Sequence, residues 1–300
     1  MTRRRTTGAA LAAVLLLAGC ASLEPGGGAP PEGTGDEGPG TDGTEEDGVD
    51  DGDLVVRVHR GGGFVPMGWA FSSVADLTVY DDGLAVTQGP TTLEHPGRLL
   101  PNLQTSRLTP EDLDAVADAA RDAGLLADAP SYGQPMITDV GSTLVTVRVD
   151  GVTYEHDAYA LDMVLDPGSP GAEGLTDAEL EARAALAGFV DQVRSLVDGV
   201  EATGPYRPGA FAVMARPVDD GEQGLEPAPS VHEWPLDVPL AGADCVVVDG
   251  ADAETLLPVL EAARQNDRMT HDGATYEVWA RVMLPGDPGC GGSERAPAQG

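Results

Sequence analysis

Lysine is missing from this 300-residue chain. All 17 basic residues are arginine, set against 50 Asp and Glu, and the formal net charge is −33. Nucleic acids and anionic lipid surfaces are held by basic side chains that neutralise phosphates, so a chain of this balance repels both. A nucleic-acid partner is excluded on that ground. Aromatic residues are scarce as well, at three Trp, six Tyr and four Phe, which leaves little material for a broad stacking surface. No uncharged apolar run reaches the roughly 20 residues that a membrane-spanning helix needs. Catalytic signatures are equally thin. There is no G-x-S-x-G, H-E-x-x-H, S-x-x-K, P-loop or strand-to-helix G-x-G-x-x-G, and no cofactor or metal site is expected.

The N-terminus is more definite. Arg3, Arg4 and Arg5 precede an apolar stretch from Gly8 to Gly19, GAALAAVLLLAG, and a charged head with a 7 to 15 residue apolar core marks a secretory signal. Leu17-Ala18-Gly19-Cys20 resembles the lipobox of bacterial lipoproteins. That resemblance implies removal of residues 1–19, a thioether-linked diacylglycerol on Cys20, and a membrane partner reached through the lipid on the outer side of the cytoplasmic membrane. An ordinary cleavage near Ala18 to Ser22 is the alternative. With two or three chains, each buried CH₂ contributing about 0.8 kcal/mol, such an anchor holds stably.

Residues 20–53 follow as a Gly-, Pro- and Thr-rich stretch with 11 acids, no base and almost nothing to bury. Its ordering entropy, roughly 1–2 kcal/mol per residue, has nothing to offset it, and a disordered, extended tether is expected. The acids Asp47, Asp50, Asp51 and Asp53 do not form a calcium loop. From Asp47 the third and twelfth positions are Val49 and Val58, where carboxylates are required. Absence of lysine with abundant Ala, Gly, Arg, Asp and Val matches the codon bias of a high-GC organism such as an actinobacterium; halophily is the rival explanation for the acidity.

The part from 54 to 291 reads as α+β, with hairpin-built antiparallel sheets packed against helices. Asp82-Gly83, Asp150-Gly151 and Asp272-Gly273 each stand between β-patterned runs, the strongest short-range hairpin signal. Thr109-Pro110-Glu111-Asp112 opens a helix that ends at Gly124, and Thr176-Asp177-Ala178-Glu179 is a capping box for a longer one. Asp252 is the candidate cap of a third, with Pro258 inside it forcing a late start or a kink. Two small domains are expected, 54–203 and 204–291, divided at Gly204-Pro205-Tyr206-Arg207-Pro208-Gly209, with a flexible tail at 292–300. The run GGGFVP, Tyr80-Asp81-Asp82-Gly83, the Thr109-Pro110 helix start and Thr138-Asp139 together resemble an uncharacterised domain of actinobacterial-type lipoproteins. The resemblance implies a shared fold and no activity.

With Cys20 taken by lipid, Cys245 and Cys290 remain, and outside the cytoplasm a disulfide is the simplest use of such a pair. Glu155-His156-Asp157 is the best catalytic cluster. On a strand, however, His156 faces away from its two neighbours, and a histidine at a sheet surface is the plainer reading. His59, His95, His232 and His271 stand isolated. Trp69, Trp234 and Trp279 read as core or edge residues before they read as a carbohydrate-stacking surface. The function expected is a tethered, non-enzymatic module that binds or scaffolds an envelope protein or wall component. A cell-envelope hydrolase acting on wall polymer or peptide is the alternative.

Overall fold

Leu54–Gly61 (β1), LVVRVHRG, buries Val56 and Val58 on alternate positions, the period a strand requires. In the computed structural model, which describes residues 53–218, 227–240 and 245–290, β1 lies inside a seven-stranded antiparallel sheet. Its other strands are β2 (Leu77–Tyr80), β3 (Leu84–Gln88), β4 (Leu103–Arg107), β5 (Ser142–Val149), β6 (Val152–Tyr159) and β7 (Ala202–Pro205), in the spatial order β6-β5-β1-β2-β3-β4-β7. A second sheet of five strands comprises β8 (Ala210–Pro217), β9 (Val231–Glu233), β10 (Val246–Asp249), β11 (Arg268–His271) and β12 (Ala274–Val282), ordered β10-β8-β12-β11-β9. Its β9 and β11 run parallel and its other pairs antiparallel. The chain is therefore α+β with two sheets. Cys20, the 20–53 segment before Asp53 and the 292–300 tail lie outside the described residues.

All three Asp-Gly pairs turn hairpins, by two routes. Asp150-Gly151 and Asp272-Gly273 have positive φ at both residues, 51° and 77° and then 49° and 77°, the left-handed pair that matches strand twist. In Asp81-Asp82-Gly83 the glycine alone is left-handed, at 85°, as in a three-residue loop closed by a bulge.

Helix α2 (Pro110–Asp122) and helix α3 (Asp177–Asp198) begin at the expected capping boxes, with Thr109 paired to Asp112 and Thr176 to Glu179. They cover one face of the first sheet. Val56, Val58, Leu77, Val79, Val145 and Val147 from the strands meet Val116, Leu186, Phe189, Val190 and Val193 from the helices, each fully buried side chain contributing roughly 1.5–3 kcal/mol. From the opposite face Tyr80, Val86 and Leu103 join a second cluster with Phe211, Val213, Val248, Met269, Tyr276 and Val278 of the second sheet. Strand β2 is accordingly buried at all four positions. Gly204 to Gly209 thus separates two sheets that share a hydrophobic cluster.

Helix α4 (Gly250–Ala262) starts earlier than expected. Asp249, not Asp252, is its N-cap, and Pro258 lies within it. Proline removes the hydrogen bond to the carbonyl four residues back, that of Glu254. Glu254 and Pro258 are both exposed, so water can satisfy that carbonyl while Ala253, Leu256 and Leu260 stay packed inward. A short helix, α1 (Met67–Ser72), lies on β12, and a Cβ at Gly68 would fall inside the indole of Trp279. Glycine there is what permits the contact. Among the described residues no helix is long and apolar enough to cross a membrane.

Candidate functional site

Cys245 and Cys290 are bonded, with Cα atoms 5.7 Å apart and a sequence separation of 45. The bond closes the C-terminal segment onto both sheets. Tyr80 Oη donates to the Pro285 carbonyl at 3.1 Å, Arg57 pairs with Asp287 at 2.9 Å, and Arg281 Nη2 donates to the Gly289 carbonyl. Strand β8 lies between β10 and β12, so the last hairpin reaches the strand after Cys245 through one intermediate strand.

The triplet on β6 is split by the strand. His156 is 2 % exposed while Glu155 and Asp157 are exposed, which matches the expected alternation but places the histidine inside and not at a surface. The 125–132 segment covers it. His156 Nε2 lies 3.0 Å from the Leu125 carbonyl and Nδ1 lies 2.7 Å from Tyr132 Oη. A carbonyl can accept only, so Nε2 carries a proton and donates to it, while Nδ1 is hydrogen-bonded to the tyrosine hydroxyl. Burial pushes the Tyr132 phenol up to about 12. Both ring nitrogens are used, and His156 is a strut between β6 and the covering segment.

The remaining histidines are dispersed. His59 is partly buried, and burial pulls its pKa below the ordinary value, with Asp76 opposing. His271 stands 3.6 Å from Asp272 and His95 is exposed. His232 is less isolated than its sequence neighbours suggest, because its Nε2 lies 3.0 Å from Asp267 Oδ2. Burial alone would raise the Asp267 carboxyl, but the Arg264 N–H, the His232 side chain and the Ser230 N–H together hold it below the usual range. Among the described residues no hydroxyl or thiol is hydrogen-bonded to the other His232 nitrogen, and no three metal-ligating side chains are grouped.

Two concave regions flank β5 and β6. The larger, about 960 Å³, is an open hollow bordered by Pro130 to Gln134, Leu144 to Thr146 of β5, Glu155 to Asp157 of β6 including the edge of His156, and Glu179. The smaller, about 290 Å³, lies between the stretch from the end of β1 to Trp69 of α1 and the turn at Ala160 to Met163, with Asp139 to Thr143 as its third wall. The three tryptophans do not act together. Trp234 is in the core and donates Nε1–H to the Val238 carbonyl, Trp279 is covered at Gly68, and Trp69 is 56 % exposed in the wall of the smaller cleft.

Between the two hollows sits a residue that sequence reasoning passed over. Arg183 of α3 is fully buried and gives four hydrogen bonds to main-chain carbonyls: Nε to Val164 at 2.7 Å, Nη1 to Tyr132 at 3.0 Å, and Nη2 to Tyr159 and Ala160 at 2.8 Å each. No carboxylate pairs with it among the described residues, and burial draws its pKa down. Ala160, one of its acceptors, is left-handed at φ 52°, a conformation that costs a non-glycine residue about 1–2 kcal/mol. The guanidinium and the Ala160 N–H bond to the Gly141 carbonyl, 2.9 Å, hold it there.

Comparison with known proteins finds no matching family model, no matching curated protein and no matching solved structure.

Proposed function

We propose that this chain is an envelope lipoprotein, anchored through Cys20 on the outer side of the cytoplasmic membrane, whose folded part binds or scaffolds an envelope component without catalysing a reaction. The observation that carries the non-catalytic reading is His156. The best-placed histidine of the sequence has both nitrogens committed to main-chain and phenolic partners, and its flanking carboxylates point to the other face of the sheet. General acid–base work needs a titratable group within reach of a substrate proton, and this one, although it borders the larger hollow, is 2 % exposed with both nitrogens hydrogen-bonded. The His232–Asp267 pair, the nearest alternative for a hydrolase, has no nucleophile beside it among the described residues. Support for the location comes from the apolar leader with its lipobox-like end and from the Cys245–Cys290 bond, since such bonds persist in oxidising compartments.

Expression of the whole chain in a bacterial host, with and without Cys20→Ser, tests the anchor. The variant is expected in the soluble or secreted fraction and the parent in the membrane fraction after a salt wash. Equal membrane retention of both would overturn the anchor, and release of soluble products from wall polymer by the purified protein would overturn the non-catalytic reading.

A further inference from the structure

Four non-glycine residues of the described chain are left-handed: Asp139, Asp150, Ala160 and Asp272. Asp150 and Asp272 are accounted for by their hairpin turns. The other two, Asp139 at φ 63° and Ala160 at φ 52°, both line the 290 Å³ cleft, and off-hand backbone held in place by its surroundings concentrates at binding sites. The cleft is also built to be rigid. A Cβ on Gly141 would meet the Gly61 carbonyl at 2.6 Å, so the two main chains touch, and Arg183 braces the Ala160 turn from behind.

Its walls combine an apolar plane with paired charges. Trp69 is 56 % exposed and Met163 53 %. Arg60 grips Asp162 with two bonds, Nε to Oδ2 at 2.6 Å and Nη2 to Oδ1 at 3.2 Å, and also stands 3.6 Å from Asp76. Arg60 is thus neutralised, Asp139 adds a negative charge, and the protein as a whole carries −33, so an anion is repelled. A cation held on aromatic faces is commonly enclosed by several rings, and here one ring lines the cleft. What remains is a neutral ligand with a flat apolar side and a rim that both gives and takes hydrogen bonds. At 290 Å³ the space is at the lower end of small-molecule sites, roughly 300–1,000 Å³, and suits one ring-sized unit.

We infer that this cleft binds a sugar ring of a neutral glycan, its apolar face on the Trp69 indole and its hydroxyls on the Arg60–Asp162 pair and Asp139. The inference rests on the reading of the folded part as a binding module and names the ligand class of that module. Exposed Phe64 and Met67, just before and at the start of α1, extend the contact toward neighbouring rings of a polymer.

The test uses the whole chain purified as its Cys20→Ser form and titrated with three soluble probes: tetra-N-acetylchitotetraose, cellotetraose and maltotetraose. Tryptophan emission and its quenching by acrylamide are the readout, since Trp69 is the exposed indole of the three. At least one probe is expected to saturate in the roughly micromolar to millimolar range and to shield the emission from quencher. Trp69→Ala is expected to weaken that binding about tenfold or more, with Trp69→Phe retaining part of it, while far-UV circular dichroism and melting stay unchanged because the side chain is exposed. Absence of saturation with every probe overturns the glycan assignment, as does saturation by choline in their place. Binding that is equal in Trp69→Ala overturns the cleft while leaving the binding-module reading intact, and hydrolysis of a probe overturns that reading instead.

Discussion

Replacing Arg183 tests how far one buried side chain organises both hollows. In Arg183→Met the stem is roughly preserved and four hydrogen bonds from a charged donor are lost. Bonds to charged groups contribute about 1.5–3 kcal/mol each and a stranded buried carbonyl costs about 1–3 kcal/mol, so the gross loss is large. Against it stands the desolvation of the guanidinium, several kcal/mol, which the variant no longer bears. Breaking a buried charged interaction by removing one side usually nets about 3–5 kcal/mol, and that is the expected destabilisation, a large part of the roughly 5–15 kcal/mol a folded domain has. Arg183→Lys is the sharper control. The four acceptors are served by three different nitrogens of the planar fork, and a single ammonium cannot span them, so lysine is expected to lose at least as much as methionine. Urea unfolding followed by tryptophan fluorescence measures both, with the midpoint falling and the slope unchanged. Amide exchange at Ala160, whose N–H is bonded to Gly141, is expected to accelerate more than exchange in β1. A loss below about 1 kcal/mol in either variant would refute the reasoning.

Removing the Cys245–Cys290 bond by the paired serine substitutions is expected to lower stability by about 4 kcal/mol, from the chain entropy of a closed loop of this length; a melting temperature that does not move, or two titratable thiols in the unfolded Cys20→Ser protein without reductant, would contradict it. His59 gives a pH signature. Its folded pKa is depressed, so as pH falls below about 6.5 the unfolded chain takes up a proton that the folded chain refuses until the lower value is reached, and stability declines over that window. His59→Gln is expected to flatten the decline between about pH 7 and 5 in denaturant melts, and an unchanged slope would count against the burial argument.

Hairpins and helix starts were legible because their signals are local. A left-handed Asp-Gly pair and a reciprocal Thr and Asp or Glu cap satisfy backbone groups within four residues, whatever the rest of the chain does. Helix α1 carries no such signal. Its N-cap, Pro66, makes no side-chain bond, and it persists through the Gly68 contact with Trp279, more than 200 positions away. The same holds for the site. Alternation showed that His156 and its acids face opposite ways, but which face is covered depends on Leu125 and Tyr132, which the strand pattern does not contain. The link between His232 and Asp267 spans 35 residues and left no trace in spacing. Arg183 did leave one: Leu180, Arg183, Leu186, Val190, Val193 and Val197 fall on one helical stripe, and a charged residue in the middle of an apolar stripe indicates a buried partner for it.

Strand β1 is the first element after the acidic stretch, and it occupies the interior of the larger sheet, not its margin. It is hydrogen-bonded to β5 on one side and β2 on the other, antiparallel to both, and its start is fixed by the Asp53 carbonyl accepting from Asp81 N–H at 2.9 Å and the Asp53 carboxylate pairing with Arg148 at 2.8 Å. A pull arriving through the residues before Asp53 therefore loads two ladders in shear at once. An edge strand would open one bond at a time, whereas here the bonds must yield together, which raises the barrier to forced unfolding and makes the junction at Asp53 the mechanically resistant end of the fold.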